Sequence, residues 1–108
     1  MFRLAASKST VDAAVFVDYG HFLMTQKRLD ASQVQLKKAL QISPAARNAS
    51  SNLAFTYYLK NDFINACAWA RKAESNRDRL EPGFLEEMCT RAADPAKGRP
   101  ASGSRPPA

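Results

Sequence analysis

The stretch Ser50-Ser51-Asn52-Leu53-Ala54-Phe55-Thr56-Tyr57-Tyr58 repeats the pattern of Phe16-Val17-Asp18-Tyr19-Gly20-His21-Phe22-Leu23-Met24, which lies 34 residues earlier. A register kept over so many positions indicates an internal duplication, and a period of this length is typical of helical repeat proteins. Such proteins usually bind other proteins rather than catalyse reactions. The same offset relates Tyr19/Leu53, Gly20/Ala54, Leu23/Tyr57, Leu29/Phe63, Ser32/Ala66, Leu36/Ala70 and Ala39/Ala73.

Apolar residues at helical spacing predict two helical hairpins. Val11-Asp12 places a capping-type residue before the first helix, and Ser43-Pro44 ends the second because proline lacks the N–H that a helix needs. Asn61-Asp62 makes the tight turn of the second hairpin. The predicted helices span 13–26, 30–41, about 46–60 and about 63–75.

The small residues Gly20 and Ala54 have a mechanical role in these hairpins. Two antiparallel helices approach closely only where the contact residue has almost no side chain, and Ser32 and Ala66 are the small partners on the second helices. A hairpin of this kind is apolar on two sides, so stacking one hairpin on the next is needed to bury both sides.

A further helix is predicted over 82–93, with Pro82 in its first turn, as a cap on the second hairpin. Glu74, Asn76 and Asp78 are polar where the first copy has Leu40, Ile42 and Pro44, so a third full repeat is not expected. Residues 94–108 are rich in Pro, Gly, Ser, Lys and Arg and are expected to be a disordered basic tail. Residues 1–12 form a separate N-terminal segment, which could be partly ordered.

The duplicated residues resemble the consensus of the tetratricopeptide repeat. The second copy matches with Asn52-Leu53-Ala54, Tyr57-Tyr58, Asp62-Phe63, Ala66 and Arg71-Lys72-Ala73, and the first with Tyr19-Gly20, Leu23, Leu29-Asp30, Lys38-Ala39-Leu40 and Pro44. The resemblance implies an all-α fold, a short α-solenoid in which repeats of about 13–46 and 47–80 are followed by the capping helix. The family has many functions, so the likeness is specific for fold and weak for function.

By the same resemblance, the first helix of each repeat lines a concave groove. This places Val17, His21, Met24 and Thr25 in the groove with Asn48, Ser51, Asn52, Phe55, Tyr58 and Leu59. The residues expected to bind a partner are Val17, His21, Met24, Asn52, Phe55, Tyr58 and Leu59, with the apolar ones as anchors and Asn52 and His21 as hydrogen-bonding groups. A second interpretation is open, in which the N-terminal segment or the capping helix covers Met24, Tyr58 and Leu59.

Several classes of function are disfavoured by the residues themselves. His21 is the only histidine, and the chain has no Gly-rich phosphate loop, H-E-x-x-H or C-x-x-C, so neither an enzyme nor a metal or cofactor site is expected. Cys67 and Cys89 do not make a disulfide framework, and Cys67 is expected to be a buried free thiol. Some members of this family bind the acidic C-terminus of a chaperone with a set of Lys, Asn and Arg side chains. Only Asn52 of this chain matches that set, so such a clamp is disfavoured.

Much of the net charge of +6 lies near the termini, and the smaller basic excess between them is scattered. The basic residues form no stripe interleaved with aromatic residues, as a nucleic-acid surface would require. No apolar run is long enough for a signal peptide or a membrane span, so a cytoplasmic location is expected. A short organellar presequence is left open by the Arg, Lys and Ser residues before Asp12.

The sequence therefore predicts a small protein-binding module whose groove takes an apolar or amphipathic segment of another protein. Stand-alone proteins of this size and fold resemble small chaperones or adaptors of bacterial secretion and pilus systems. One alternative is a self-associating scaffold, since a stack of so few repeats is expected to be marginal alone. Another is a nucleic-acid accessory protein that uses the basic tail with Arg71, Lys72, Arg77 and Arg79.

Overall fold

A computed structural model of the protein describes residues 10–94, which fold into helices and connecting turns without any strand. The prediction of an all-α fold is therefore confirmed for this part of the chain. The interpretations of residues 1–9 and 95–108, the N-terminal segment and the basic tail, lie outside the described residues. The helices are α1 (Thr10–Thr25), α2 (Leu29–Ile42), α3 (Ala49–Leu59), α4 (Phe63–Ser75) and α5 (Phe84–Ala93).

Three helix starts differ from the sequence prediction by two residues or more. α1 begins at Thr10, so Asp12 lies in its first turn rather than before it. α3 begins only at Ala49, because Asn48 adopts a left-handed conformation with φ of 66°. α5 begins at Phe84, and Pro82 precedes the helix because Gly83, with φ of +82°, turns the chain at the N-cap.

The two hairpin turns are built alike. After α1, Lys27 has φ of 64° and the Arg28 N–H donates to the Leu23 carbonyl over 2.9 Å. After α3, Asn61 has φ of 61° and the Asp62 N–H donates to the Tyr57 carbonyl, also over 2.9 Å. This closing pattern of a left-handed residue and a long backbone bond satisfies carbonyls at a helix end. The sequence repeat thus extends to the backbone hydrogen bonds of the turns.

Consecutive helices pack on each other, and α1 also contacts α3. At the α1–α2 crossing, a Cβ atom on Gly20 would lie 2.7 Å from the Leu36 Cγ, and Leu36 is fully buried. The Ser32 hydroxyl donates to the Gly20 carbonyl over 2.7 Å, which satisfies a buried polar group where the helices are closest. The small residues at this crossing therefore allow both the close approach and its hydrogen bond.

The polar residues at the end of the second repeat bind to the segment that connects α2 to α3. The Asn48 N–H donates to the Asp78 Oδ1 over 3.0 Å, and the Asn76 side chain donates to the Pro44 carbonyl over 3.3 Å. Asn76 and Asp78, which are polar where the first copy has Ile42 and Pro44, thus hold the end of α4 against the α2–α3 connection.

A disulfide joins Cys67 of α4 to Cys89 of α5. The prediction that Cys67 is a free thiol is therefore wrong, whereas the prediction that it is buried is confirmed. The two cysteines are 22 residues apart in sequence, and the packing of α5 on α4 brings their Cα atoms to 4.7 Å. α5 is therefore held to the hairpin covalently as well as by apolar packing.

Candidate functional site

An open groove of about 720 Å³ lies between α1, α3 and the connection that leads into α5. α1 and α3 are the first helices of the two hairpins and contact each other directly, so the groove runs across both copies of the repeat. Its lining residues are Val17, Asp18, His21, Met24, Asn48, Ser51, Asn52, Phe55, Arg79, Leu80, Glu81, Pro82 and Phe84.

Five of the residues singled out from the sequence lie together in this groove: Val17, His21, Met24, Asn52 and Phe55. Val17 and Met24 are already buried, so their side chains form the floor rather than protruding contacts. Phe55 is 37% exposed and presents a large apolar side chain to solvent. Phe55 is therefore the principal exposed apolar side chain that the first helices contribute to this groove.

The other two, Tyr58 and Leu59, do not line the groove. The Tyr58 ring packs beside it, with ring centroids 5.4 Å from Phe55, 5.8 Å from Phe84 and 6.3 Å from Phe63. Tyr58 and Leu59 are both half-buried. Tyr58 thus joins an aromatic cluster that connects α3 to α4 and α5, which agrees with the interpretation that the capping helix covers it.

One wall of the groove was missed by the sequence analysis. Leu80, Pro82 and Phe84 come from the α4–α5 connection and the start of α5, and the Phe84 ring lies 6.2 Å from that of Phe55. The sequence prediction places Leu80 at the end of the second repeat, and Pro82 and Phe84 in a cap on the second hairpin, rather than in the groove. The apolar alternation of Leu80, Pro82 and Phe84 was the available signal, but only the path of the connection shows that they turn towards α1.

Charges of both signs surround the apolar part of the groove. Asp18 and Glu81 are acidic, Arg79 is basic, and the His21 side chain in the same lining is exposed. The groove therefore has a short apolar centre with a polar rim, the composition of many protein-binding surfaces.

The wall that carries Phe84 is fixed to α4 by two contacts from α5. The Cys67–Cys89 disulfide lies on the side of α5 that faces α4. The centre of the Arg91 guanidinium lies 4.9 Å from the ring centroid of Phe63 in α4. Within α5, Glu87 forms an ion pair with this guanidinium over 2.8 Å. This fixation keeps Phe84 opposite Phe55 and so maintains the shape of the groove.

Between Thr10 and Asp94, no group of three or more His, Cys, Asp or Glu side chains is arranged to hold a metal ion. No helix in this range is both long enough and apolar enough to cross a membrane.

No family model matches the chain. Neither a curated protein nor a solved structure matches it.

Proposed function

We propose that the chain is a protein-binding module of the tetratricopeptide type, whose groove binds an apolar or amphipathic segment of another protein. The observation that carries this proposal is Phe55, a large apolar side chain exposed in an open groove. Exposed aromatic residues at the centre of a concave surface are frequent anchors in protein interfaces.

The repeated residues and the matching turns at Lys27 and Asn61 support the tetratricopeptide assignment. In the proposed complex, apolar side chains of the partner contact Phe55, Leu80 and Pro82 above the floor of Val17 and Met24. Asn52 and His21 supply hydrogen bonds at the edge. A chaperone or adaptor role, and a binding rather than catalytic activity, are parts of this proposal.

The disulfide bears on the compartment in which the protein would act. Disulfides persist mainly in oxidising compartments and are rare in the cytoplasm. The Cys67–Cys89 bond therefore weighs against the predicted cytoplasmic location and favours a partner in an oxidising compartment.

Site-specific photo-crosslinking in the source cells tests the groove. A photoreactive phenylalanine analogue replaces His21 in the groove or, as the control, Ile64, which is 54% exposed on α4 and does not line the groove. We expect a protein to be captured from position 21 and not from position 64. Capture of the same proteins from both positions would contradict the proposal.

A matched pair of substitutions then tests the anchor. Phe55→Glu places a charge at the apolar centre and is expected to reduce capture from position 21 at least about tenfold, the effect of losing a central anchor. Ile64→Glu adds the same charge at an exposed apolar residue elsewhere and should leave capture unchanged. Circular dichroism of both variants confirms that each is folded.

A further inference from the structure

A second apolar surface lies on α1, on a different side of the helix from the groove. Val15, Tyr19 and Phe22 are 60%, 48% and 56% exposed, and their i, i+4, i+7 spacing places them in one stripe along the helix. We call these three residues the α1 stripe. It spans about 10 Å of helix, at 1.5 Å for each residue.

The internal repeat shows what kind of neighbour this stripe lacks. The residues 34 positions later are Ala49, Leu53 and Thr56 of α3, and all three are fully buried. α3 packs between α2, which precedes it in the chain, and α4, which follows it. α1 packs on α2, which follows it, but among residues 10–94 no helix precedes α1 and packs on it as α2 packs on α3. The α1 stripe is thus the position where a further helix would pack.

The two ends of the stack differ in a way that selects the occupant. At the far end, α5 buries Phe84 and Met88 and exposes Glu86, Glu87 and Thr90. This polar outer face suits a terminal element and gives no apolar surface to receive the α1 stripe of another molecule. A head-to-tail chain of molecules is therefore disfavoured, while a pairing of the two apolar ends leaves neither stripe exposed.

We propose that the α1 stripe binds the α1 stripe of a second copy of this chain, with the two helices antiparallel about a two-fold axis near Tyr19. In a two-fold interface, the same surface on both copies must be self-complementary. Antiparallel pairing brings Val15 of one copy near Phe22 of the other. It also brings the first turn of α1 in one copy, which carries Asp12, towards the exposed Lys27 and Arg28 that follow α1 in the other copy.

A single pair of helices buries less than the roughly 800 Å² per partner of a stable interface. The dimer is therefore weak and reversible, with a dissociation constant on the order of 10–100 µM. Sedimentation of the full chain from about 5 µM to about 1 mM measures its average mass at concentrations below and above this range. A concentration-independent monomer over this range, as expected if residues 1–9 cover the stripe, would overturn the proposal.

Substitutions test whether the stripe is the interface. Phe22→Glu is expected to weaken dimerisation at least about tenfold, because it places a charge in the apolar contact. Ile64→Glu changes a residue of similar exposure on α4 and should leave the dimer unchanged. Equal self-association of Phe22→Glu and the wild type would overturn the proposal.

A pair of double variants tests the antiparallel arrangement. Val15→Lys/Phe22→Glu sets opposite charges against each other across the two-fold axis, whereas Val15→Glu/Phe22→Glu sets like charges there. The two positions are about 10 Å apart within one helix, so the difference arises mainly between molecules. At about 1 mM protein, we expect a measurable dimer fraction for the opposite-charge variant and only monomer for the like-charge variant. Equal affinities would overturn the antiparallel arrangement.

Discussion

At Gly20, the backbone of α1 passes so close to α2 that an added Cβ would approach the Leu36 Cγ to 2.7 Å. Leu36 is fully buried, so its side chain can move away only by displacing the residues packed around it. The Ser32 hydroxyl also bonds to the carbonyl of Gly20, so the helix cannot shift without losing that bond. A single hydrogen atom as side chain thus sets the distance between two helices.

Gly20→Ala is expected to destabilise the protein, although glycine to alanine inside an open helix usually stabilises by about 1 kcal/mol. Overpacking a core position costs about 1–3 kcal/mol, and this effect is larger here because Leu36 is buried. Urea unfolding measures the change in free energy. The double variant Gly20→Ala/Leu36→Ala should lose clearly less than the sum of the two single changes. Additive losses would show that the two side chains do not compete for the same space.

Lys27→Gly is expected to stabilise the protein by about 0.5–1 kcal/mol, since a side chain in the left-handed region is strained and glycine is not. Lys27 is exposed, so little contact is lost. Lys27→Ala retains the Cβ strain and serves as the control, with no comparable gain in melting temperature. Asn61→Gly should gain less, because asparagine tolerates this conformation. A lower melting temperature for Lys27→Gly than for Lys27→Ala would contradict this account.

At the scale of the elements, α4 coincides with its predicted range because the signals for its start are local. Asp62 is the N-cap, and its carboxylate accepts from the Asn65 N–H over 3.3 Å. The close crossing of α1 and α2 at Gly20 is also predictable, because the small residues Gly20 and Ala54 recur at the same position of the repeat. The disulfide is not, because its formation depends on how α5 packs on α4 and not on any spacing between the cysteines. The same packing decides that Phe84 enters the groove.

Reduction of the Cys67–Cys89 disulfide is expected to destabilise the folded chain by about 3 kcal/mol, the effect of opening a closed loop of this length. Thermal unfolding with and without dithiothreitol measures the loss. The variant Cys67→Ala/Cys89→Ala is the control, and its melting temperature should be low and independent of the reductant. An unchanged melting temperature of the reduced wild type would contradict the expectation.

For the whole molecule, the groove and the α1 stripe are separate surfaces that share one helix. Val17 and His21 line the groove, whereas Tyr19 lies in the exposed stripe. Binding at one surface therefore does not use the side chains of the other. If both proposals hold, the full assembly contains two copies of this chain and two partner segments.

The two surfaces are expected to be independent when substitutions are combined. Phe22→Glu should lower the average mass of the assembly and leave partner capture unchanged, while Phe55→Glu should remove the partner and leave the dimer intact. Sedimentation at a fixed concentration of about 200 µM, above the expected dissociation constant of the dimer, measures both masses, and the double variant should show the sum of the two effects. Loss of partner capture in Phe22→Glu would show instead that dimerisation builds the groove.

The position of the disulfide has a consequence for proteolysis. The bond joins helices on either side of the connection between Ser75 and Phe84, where Arg77 and Arg79 are exposed. Trypsin cleavage at either arginine would leave both fragments covalently joined. The nicked protein should therefore run as a single species on a non-reducing gel and as two fragments after reduction. Because α5 stays attached, the cut chain should still keep Phe84 at the groove.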